Sequence, residues 1–317
     1  MTPKTTLTIT DAQAGRIDRA LALAFPAVGR RRLAELFAQG AVRVGGRVAR
    51  KGDRVGAGAV VELASVPVGR AEERPVPDEA AAARLQILLE RPELVAVCKP
   101  APMPSQPLRA GELGSVASGL AFLYPECAAL GDDPRDGGVA HRLDIGTTGV
   151  LLAARTAAMF RALREAFSAG QVDKRYLAIT CGRPLASSCS ASLSQRGRRV
   201  VVDEQEGLGA HTDVEVLATS GGLSLVRCAA QTGRMHQVRA HLAVLRAPIL
   251  GDALYGAPEV STLERGAALA AALPAGRFVL HAESVGLRLG REALTVTAPL
   301  PPETLAVLAA AELPPPG

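Results

Sequence analysis

The 317-residue sequence has no tryptophan, three tyrosines and six phenylalanines, so aromatic side chains make up only 3% of it. Its core must be largely aliphatic, and a tyrosine inside a patterned stretch stands out. The five cysteines, Cys98, Cys127, Cys181, Cys189 and Cys228, are odd in number and form no CxxC pair. Reduced thiols fit that pattern better than a disulfide framework. The five histidines are scattered, and His236 and His241 stand five apart rather than in an HExxH pattern, so no metal site is expected. No apolar run reaches the ~18 residues of a membrane span, and "MTPKTTLTIT" lacks the apolar core of a signal peptide. A soluble cytoplasmic protein is expected, with a monomer as the default. Long blocks of like charge are also missing, which argues against disorder outside the ends and a linker.

What is present is apolar bulk and an uneven charge. Hydrophobic residues are 48% of the chain, enough for a full core, and the length suggests two domains. The net charge is +5, but residues 1–63 hold 11 Lys+Arg against 5 Asp+Glu, leaving 25 against 26 in the remainder. A small basic front end on a near-neutral body suits a polyanion-binding module; the plain alternative is a solubilising surface.

Ile17, Leu21 and Phe25 recur at four-residue intervals and predict a helix over 15–25. "RRRLAELFA" at 30–38 predicts a second helix, opened by Arg30, Arg31 and Arg32. "AVRVGGRVAR" reads as a hairpin turning at Gly45-Gly46, and "AVVEL" at 59–63 as a closing strand. Two helices and a basic hairpin over residues 14–63 resemble the S-four-like RNA-binding module. That family usually has Ser-Arg before the second helix and Asn-Gly in the hairpin. Arg30-Arg31 and Gly45-Gly46 stand in here and keep the cation density and a turn that tolerates positive φ. The resemblance implies that Arg30, Arg31, Arg32, Arg43 and Arg47 meet RNA.

Residues 64–83 mix proline and charge and read as a linker. A larger domain over 84–302 follows, then a C-terminal helix and a tail, 303–317, whose end "AELPPPG" should fray. Strand-like runs lie at 94–98, 149–154, 174–181, 212–217, 223–230, 278–289 and 293–298, with helices expected at 114–124, 157–169 and 233–246. Strands outnumber helices without a strict βαβ rhythm. The fold class is therefore α+β, a mixed and mostly antiparallel sheet.

Three stretches carry candidate chemistry. In "HRLDIGTTGVLLAART", Asp144 sits where a loop meets a buried strand, a position that holds a side chain still. An aspartate before such a turn also commonly just caps it. In "QVDKRYLAITCG", Tyr176 lies within a strand, where a tyrosine is ordinarily a core or edge residue. In "QTGRMHQVRAHLAVLRAPILGDALYG", Met235, Val238, Leu242 and Leu245 form a helix face. Arg234 then falls in the first helical turn. A cation there opposes the helix dipole and makes more sense with an anionic partner.

Together with "PELVAVCKPAPMPSQP" and "RFVLHAESVGLRL…VTAPLPPE", these stretches resemble the RluA-type pseudouridine synthases over about residues 84–302. The resemblance implies a pseudouridine synthase fold with helices flanking the sheet and a central cleft. It implies isomerisation of a uridine within RNA: the N-glycosidic bond breaks, the uracil turns, and it rejoins the sugar through carbon. No cofactor or metal is required. Asp144 is implied as the catalytic aspartate, and the sequence leaves open whether it attacks sugar or base or abstracts a sugar proton. Arg234 is implied as its pairing cation, favouring the anion. Tyr176 is implied to stack on the uracil and to remove the final ring proton. Arg142, beside His141, is implied to help the nucleotide out of its stack, and Leu250 to wall the uracil pocket.

The first segment departs from the family, where Lys-Pro-Ala-Gly-Met…His-Pro is usual; Pro102 and Gln106 replace the glycine and histidine, stiffening the loop. Ile145 stands where relatives often carry charge. Ribosomal RNA is favoured over tRNA as partner. Two other readings compete: an RNA-binding protein with a catalytically silent second domain, and an aspartate-dependent hydrolase. Intact Asp144, Tyr176 and Arg234 speak against the first. The lack of a second carboxylate matched by motif speaks against the other.

Overall fold

The computed structural model describes residues 5–26, 28–64 and 73–316; the side chains of Arg30 and Arg31 and most of the expected linker lie outside the described residues. The chain divides after Arg74 into a small and a large unit.

The small unit contains β1 (Thr5–Thr8), β2 (Gly15–Arg16), α1 (Ile17–Ala24), α2 (Arg30–Ala38), β3 (Val42–Val44), β4 (Arg47–Val48), β5 (Arg54–Val55) and β6 (Val60–Leu63). Both expected helices form because their apolar stripes close one core, with Ile17 and Leu21 from α1 against Leu33 and Leu36 from α2. β1, β6, β3 and β4 make an antiparallel sheet. Its β3–β4 hairpin turns at Gly45 and Gly46 with φ of 56° and 77°, the left-handed pair that a two-residue hairpin demands. Arg43 donates to the Gly46 carbonyl, Arg47 is exposed beside it, and Arg32 pairs with Glu35 at 2.9 Å.

The large unit begins with α3 (Glu79–Ala82), β7 (Gln86–Glu90), β8 (Leu94–Lys99), α4 (Val116–Leu123), β9 (Thr148–Ala154), α5 (Ala157–Ser168) and β10 (Asp173–Cys181). It continues with β11 (Ser188–Cys189), β12 (Leu193–Arg196), β13 (Arg199–Val202), β14 (Thr212–Ser220), β15 (Leu223–Ala230) and α6 (Gln237–Val244), and ends with α7 (Gly266–Ala272), β16 (Leu280–Leu289), β17 (Glu292–Thr297) and α8 (Pro302–Ala310). Nine strands form one sheet in the order β11-β14-β15-β10-β16-β9-β8-β7, with β17 also on β16. Every neighbouring pair is antiparallel except β16 with β9. This is the mixed, mostly antiparallel α+β sheet expected.

β9 is buried along its whole length because both faces of the sheet are covered. Val150, Leu152 and Ala154 join Phe160 and Leu163 of α5 in one core; Leu151 and Ala153 join Val116 and Leu120 of α4 in another. Truncating a fully buried leucine such as Leu151 to alanine costs ~2–5 kcal/mol, so the strand that carries the Asp144 loop is stiff. On the other half of the sheet, α6 covers one face through Val238 and Leu242, and α7 and α8 cover the other through Leu269, Val307 and Leu308.

Two boundaries move. Residues 79–82 of the expected linker form α3, capped by the Asp78 carboxylate, and Ala81 is buried in the core of the large unit. At the other end, Ala311 and Leu313 are core residues, so the segment after 302 belongs to the domain.

Candidate active site

A cleft of about 540 Å³ opens in the large unit, lined among others by Arg142, Asp144, Tyr176, Arg234, His236 and Arg239. Its size is typical of small-ligand sites.

Asp144 reaches it from a turn in which its own carbonyl accepts from Thr147 N–H at 3.0 Å. The side chain does not cap that turn. Oδ2 instead accepts from Arg239 Nη1 at 3.0 Å, and Oδ1 lies 3.8 Å from His236 Nε2. The residues on either side of Asp144 are tied down. Ser105 Oγ donates to the Leu143 carbonyl and accepts from Leu143 N–H. The Ile145 carbonyl accepts from Met103 N–H and from the ammonium of Lys99.

Lys99 is fully buried and also donates to the carbonyls of Pro100 and Met103. Burial pulls its pKa down to about 7 against the attraction of Asp144. Arg84 and Arg277 hold the Pro102 and Ala101 carbonyls. The prolines of this segment lack N–H groups, so its backbone offers mainly acceptors, and cationic side chains satisfy them. Gln106 donates to Asp136 at 2.7 Å on the cleft wall. The substitutions in the first segment therefore leave a fully engaged loop.

Arg234 is not the cation at Asp144. The helix expected from 233 begins at Gln237, because His236 takes a left-handed conformation (φ 52°, ψ 20°) that ends any helical path before it. The Gln237 amide oxygen then accepts from Arg234 N–H and Thr232 Oγ, shaping a loop over 232–236. Arg234 lines the cleft from this loop and donates through Nε to the Gly209 carbonyl. Arg239, in the helix itself, takes the expected place. Its Nε and Nη2 bind both oxygens of buried Asp252 at 2.7 and 2.9 Å. Its guanidinium lies 5.0 Å from the Tyr255 ring centre and 4.3 Å from that of Phe278. Burial works against its charge, but the bonds to Asp252 and Asp144 outweigh that and raise its pKa. A charged residue within the apolar stripe, four after Met235 and three before Leu242, was the signal that could have found it.

Tyr176, on β10, is half-buried at the cleft, and burial together with the charge of Asp144 raises its phenol pKa well above the ordinary value. The resting group is a phenol, not a ready base. Arg142 is exposed at the cleft. His141 also lines it, but its ring stacks on Phe167 at 4.4 Å and Nε2 accepts from Leu152 N–H. Burial drives its pKa down to about 3. Leu250 does not wall the cleft; it is fully buried in the core beneath α7 and α8, with its N–H on the Ile179 carbonyl. Ile145 is 46% exposed and is not among the residues that line the cleft. Lys174 adds positive charge at the wall and donates to the Thr232 carbonyl at 2.6 Å. Among the described residues there is no group of three or more His, Cys, Asp or Glu that could hold a metal, and no helix long and apolar enough to cross a membrane.

A sequence model of RNA pseudouridylate synthases matches residues 93–244. A ribosomal large subunit pseudouridine synthase D from Xanthomonas campestris is 32% identical over 313 residues, covering 95% of this chain and 91% of that one. An uncharacterised RNA pseudouridine synthase from Chloroflexus aurantiacus is 35% identical over 305 residues, covering 93% and 89%. Among solved structures, human RNA pseudouridylate synthase domain containing 4 superposes with a TM-score of 0.58 at 28% identity, over 75% of this chain and 97% of that one.

Proposed function

The chain belongs to the RNA pseudouridylate synthase family and is an RNA pseudouridine synthase, and from that premise we propose that it modifies large-subunit ribosomal RNA through Asp144, using only its own side chains. The observation that carries the role of Asp144 is its division of labour in the cleft it lines: Arg239 binds one carboxylate oxygen, and the other, 3.8 Å from His236 Nε2, accepts no hydrogen bond from the described residues. A preorganised carboxylate of this kind acts on the sugar or base without first having to reorient. The ribosomal RNA target is supported by the relatives named for the large ribosomal subunit, which the chain matches over nearly its full length.

In this reading Tyr176 provides a face for the flipped uracil. Arg142 stands at the opening, where a planar cation stacks on bases or binds phosphate. Arg234 and Lys174 line the wall that receives the backbone. The small N-terminal unit docks RNA through its basic hairpin, where Arg47 and Arg54 flank an open groove of about 430 Å³.

The test is modification mapping. Unmodified ribosomal RNA and tRNA are incubated with the protein, and carbodiimide-reactive uridines are read by reverse transcription. Large-subunit RNA should be marked at discrete sites, and Asp144→Asn should bind RNA and mark nothing. Marks confined to tRNA would overturn the substrate assignment; an active Asp144→Asn would overturn the mechanism.

A further inference from the structure

We propose that His236 is a substrate-contacting residue, a neutral hydrogen-bond donor aimed at a ring carbonyl of the uracil beside the free oxygen of Asp144. This rests on the reading above that the cleft receives a uridine on which Asp144 acts.

The first observation is conformational. His236 is a non-glycine residue held at φ 52°. Such backbone is costly and persists where surrounding structure enforces it, most often at functional sites. Here it swings the imidazole into the cleft, one residue ahead of the helix that carries Arg239.

The second is a fixed tautomer. Val200 N–H donates to the buried Tyr255 hydroxyl oxygen at 3.0 Å, and that hydroxyl lies 3.0 Å from His236 Nδ1. The only acceptor this pair of contacts offers the hydroxyl proton is Nδ1, because the Val200 amide can only donate. Nδ1 therefore accepts and the ring proton sits on Nε2. The carboxylate facing Nε2 favours the same choice. Burial and the nearby Arg239 outweigh the pull of Asp144 and keep the ring neutral.

The third is an unmet donor. Nε2 is 3.8 Å from Asp144 Oδ1, beyond hydrogen-bond length, and makes no hydrogen bond among the described residues. A donor with a set direction, opening on the cleft next to the acting carboxylate, lacks only an acceptor.

The reaction supplies one. When the C1′–N1 bond breaks, its electron pair goes to the uracil and is shared over N1, O2 and O4. Rejoining through C5 returns a pair to the sugar; the C5 proton leaves and N1 gains one. A fixed N–H at a ring carbonyl stabilises the charge while the base is detached, and it costs no reorganisation.

The experiment uses the full chain and an RNA oligomer spanning a mapped target uridine. Nitrogen-15 spectra of histidine-labelled protein should show His236 as the Nε2–H tautomer, and Tyr255→Phe should mix the tautomers. His236→Asn, which tolerates left-handed backbone, should lower the single-turnover rate about 100-fold with RNA affinity unchanged. Replacing the target with 2-thiouridine or 4-thiouridine weakens one acceptor at a time. One of the two should slow the wild type and leave His236→Asn no slower than it already is. If His236→Asn fails to fold, Tyr255→Phe carries the same comparison. An Nδ1–H ring, a wild-type rate in folded His236→Asn, or equal thio effects in both proteins would each overturn the proposal. If instead the wild type makes no pseudouridine, or Asp144→Asn does, the underlying reading has failed.

Discussion

Arg239 binds Asp144 with one hydrogen bond and Asp252 with two, from between the rings of Tyr255 and Phe278. Its planar fork grips Asp252 with two bonds while a further N–H reaches Asp144, a fixed geometry that the point charge of a lysine does not reproduce. Asp252 is 2% exposed, so Arg239→Leu strands a buried charge and should destabilise the fold by ~3–5 kcal/mol. Adding Asp252→Asn should restore folding but not modification. Arg234→Ala leaves this network intact, so its melting temperature should match wild type and, at saturating RNA, its single-turnover rate should stay within about threefold. A dead Arg234→Ala of normal stability would restore residue 234 as the partner of Asp144.

Gly146, two residues after Asp144, has no room for a side chain. A Cβ there would lie 2.6 Å from the Phe278 ring, the same ring that packs on Arg239. Gly146→Ala should cost ~1–3 kcal/mol by overpacking. It should also lower the modification rate at saturating RNA, because the displaced ring supports the cation. Denaturant titration and single-turnover rates measured on one preparation would check both, and an unchanged rate despite lost stability would disconnect Phe278 from the site.

His141 predicts an acid sensitivity with a definite sign. Burial holds its folded pKa at about 3 against an ordinary 6.5, so the unfolded chain binds more protons between those values. Its contribution to stability is complete above pH 6.5 and is lost as pH falls toward 3, at no more than ~1.4 kcal/mol per unit. His241 and His281 are shifted down by burial too and act in the same direction. His141→Gln should give a shallower slope of urea stability between pH 6.5 and 4.5. A parallel slope would show that this ring is not the one titrating.

Removing residues 1–64 should weaken RNA binding and flatten its dependence on salt, since phosphate contacts release counterions. The truncated chain keeps Asp144 and Arg239 and should still mark its target at high RNA concentration. Equal affinity and salt slope with and without the segment would refute a docking role for it.

Much of this was legible in the residues. β9 could be read from an unbroken apolar run, and the Gly45-Gly46 hairpin from the turn it requires. α3 was hidden in proline and charge, although Asp78 followed by "EAAA" is a capped helix start. The β12–β13 hairpin escapes the pattern because its strands are only four residues each and β12, LSQR, is largely polar. The resemblance implies Arg234 as the pairing cation, and apolar spacing, which carries the helix back to 233, puts it in a first turn that suits an anionic partner. A left-handed histidine breaks that extrapolation, and only tertiary contacts such as the Tyr255 hydroxyl fix a histidine in that form. Leu250 was assigned to the cleft by resemblance, whereas its burial depends on α7 and α8.

β16 and β9 pair through two residues each, His281 with Thr148 and Ala282 with Gly149, plus the Thr148–His281 side-chain bond, while one core runs across the join from Leu94 and Leu152 to Val285 and Val296. A Cβ on Gly149 would strike the Ala282 carbonyl, so no larger residue fits that join. The turn bearing the carboxylate hangs from one side of this narrow weld, and the helix bearing the guanidinium is packed on the other. Slippage there pulls the charges apart and also opens the core that both sides share. In a graded urea series, turnover should therefore fade together with the circular-dichroism signal; turnover lost well ahead of it would mean that the weld gives way before the core around it.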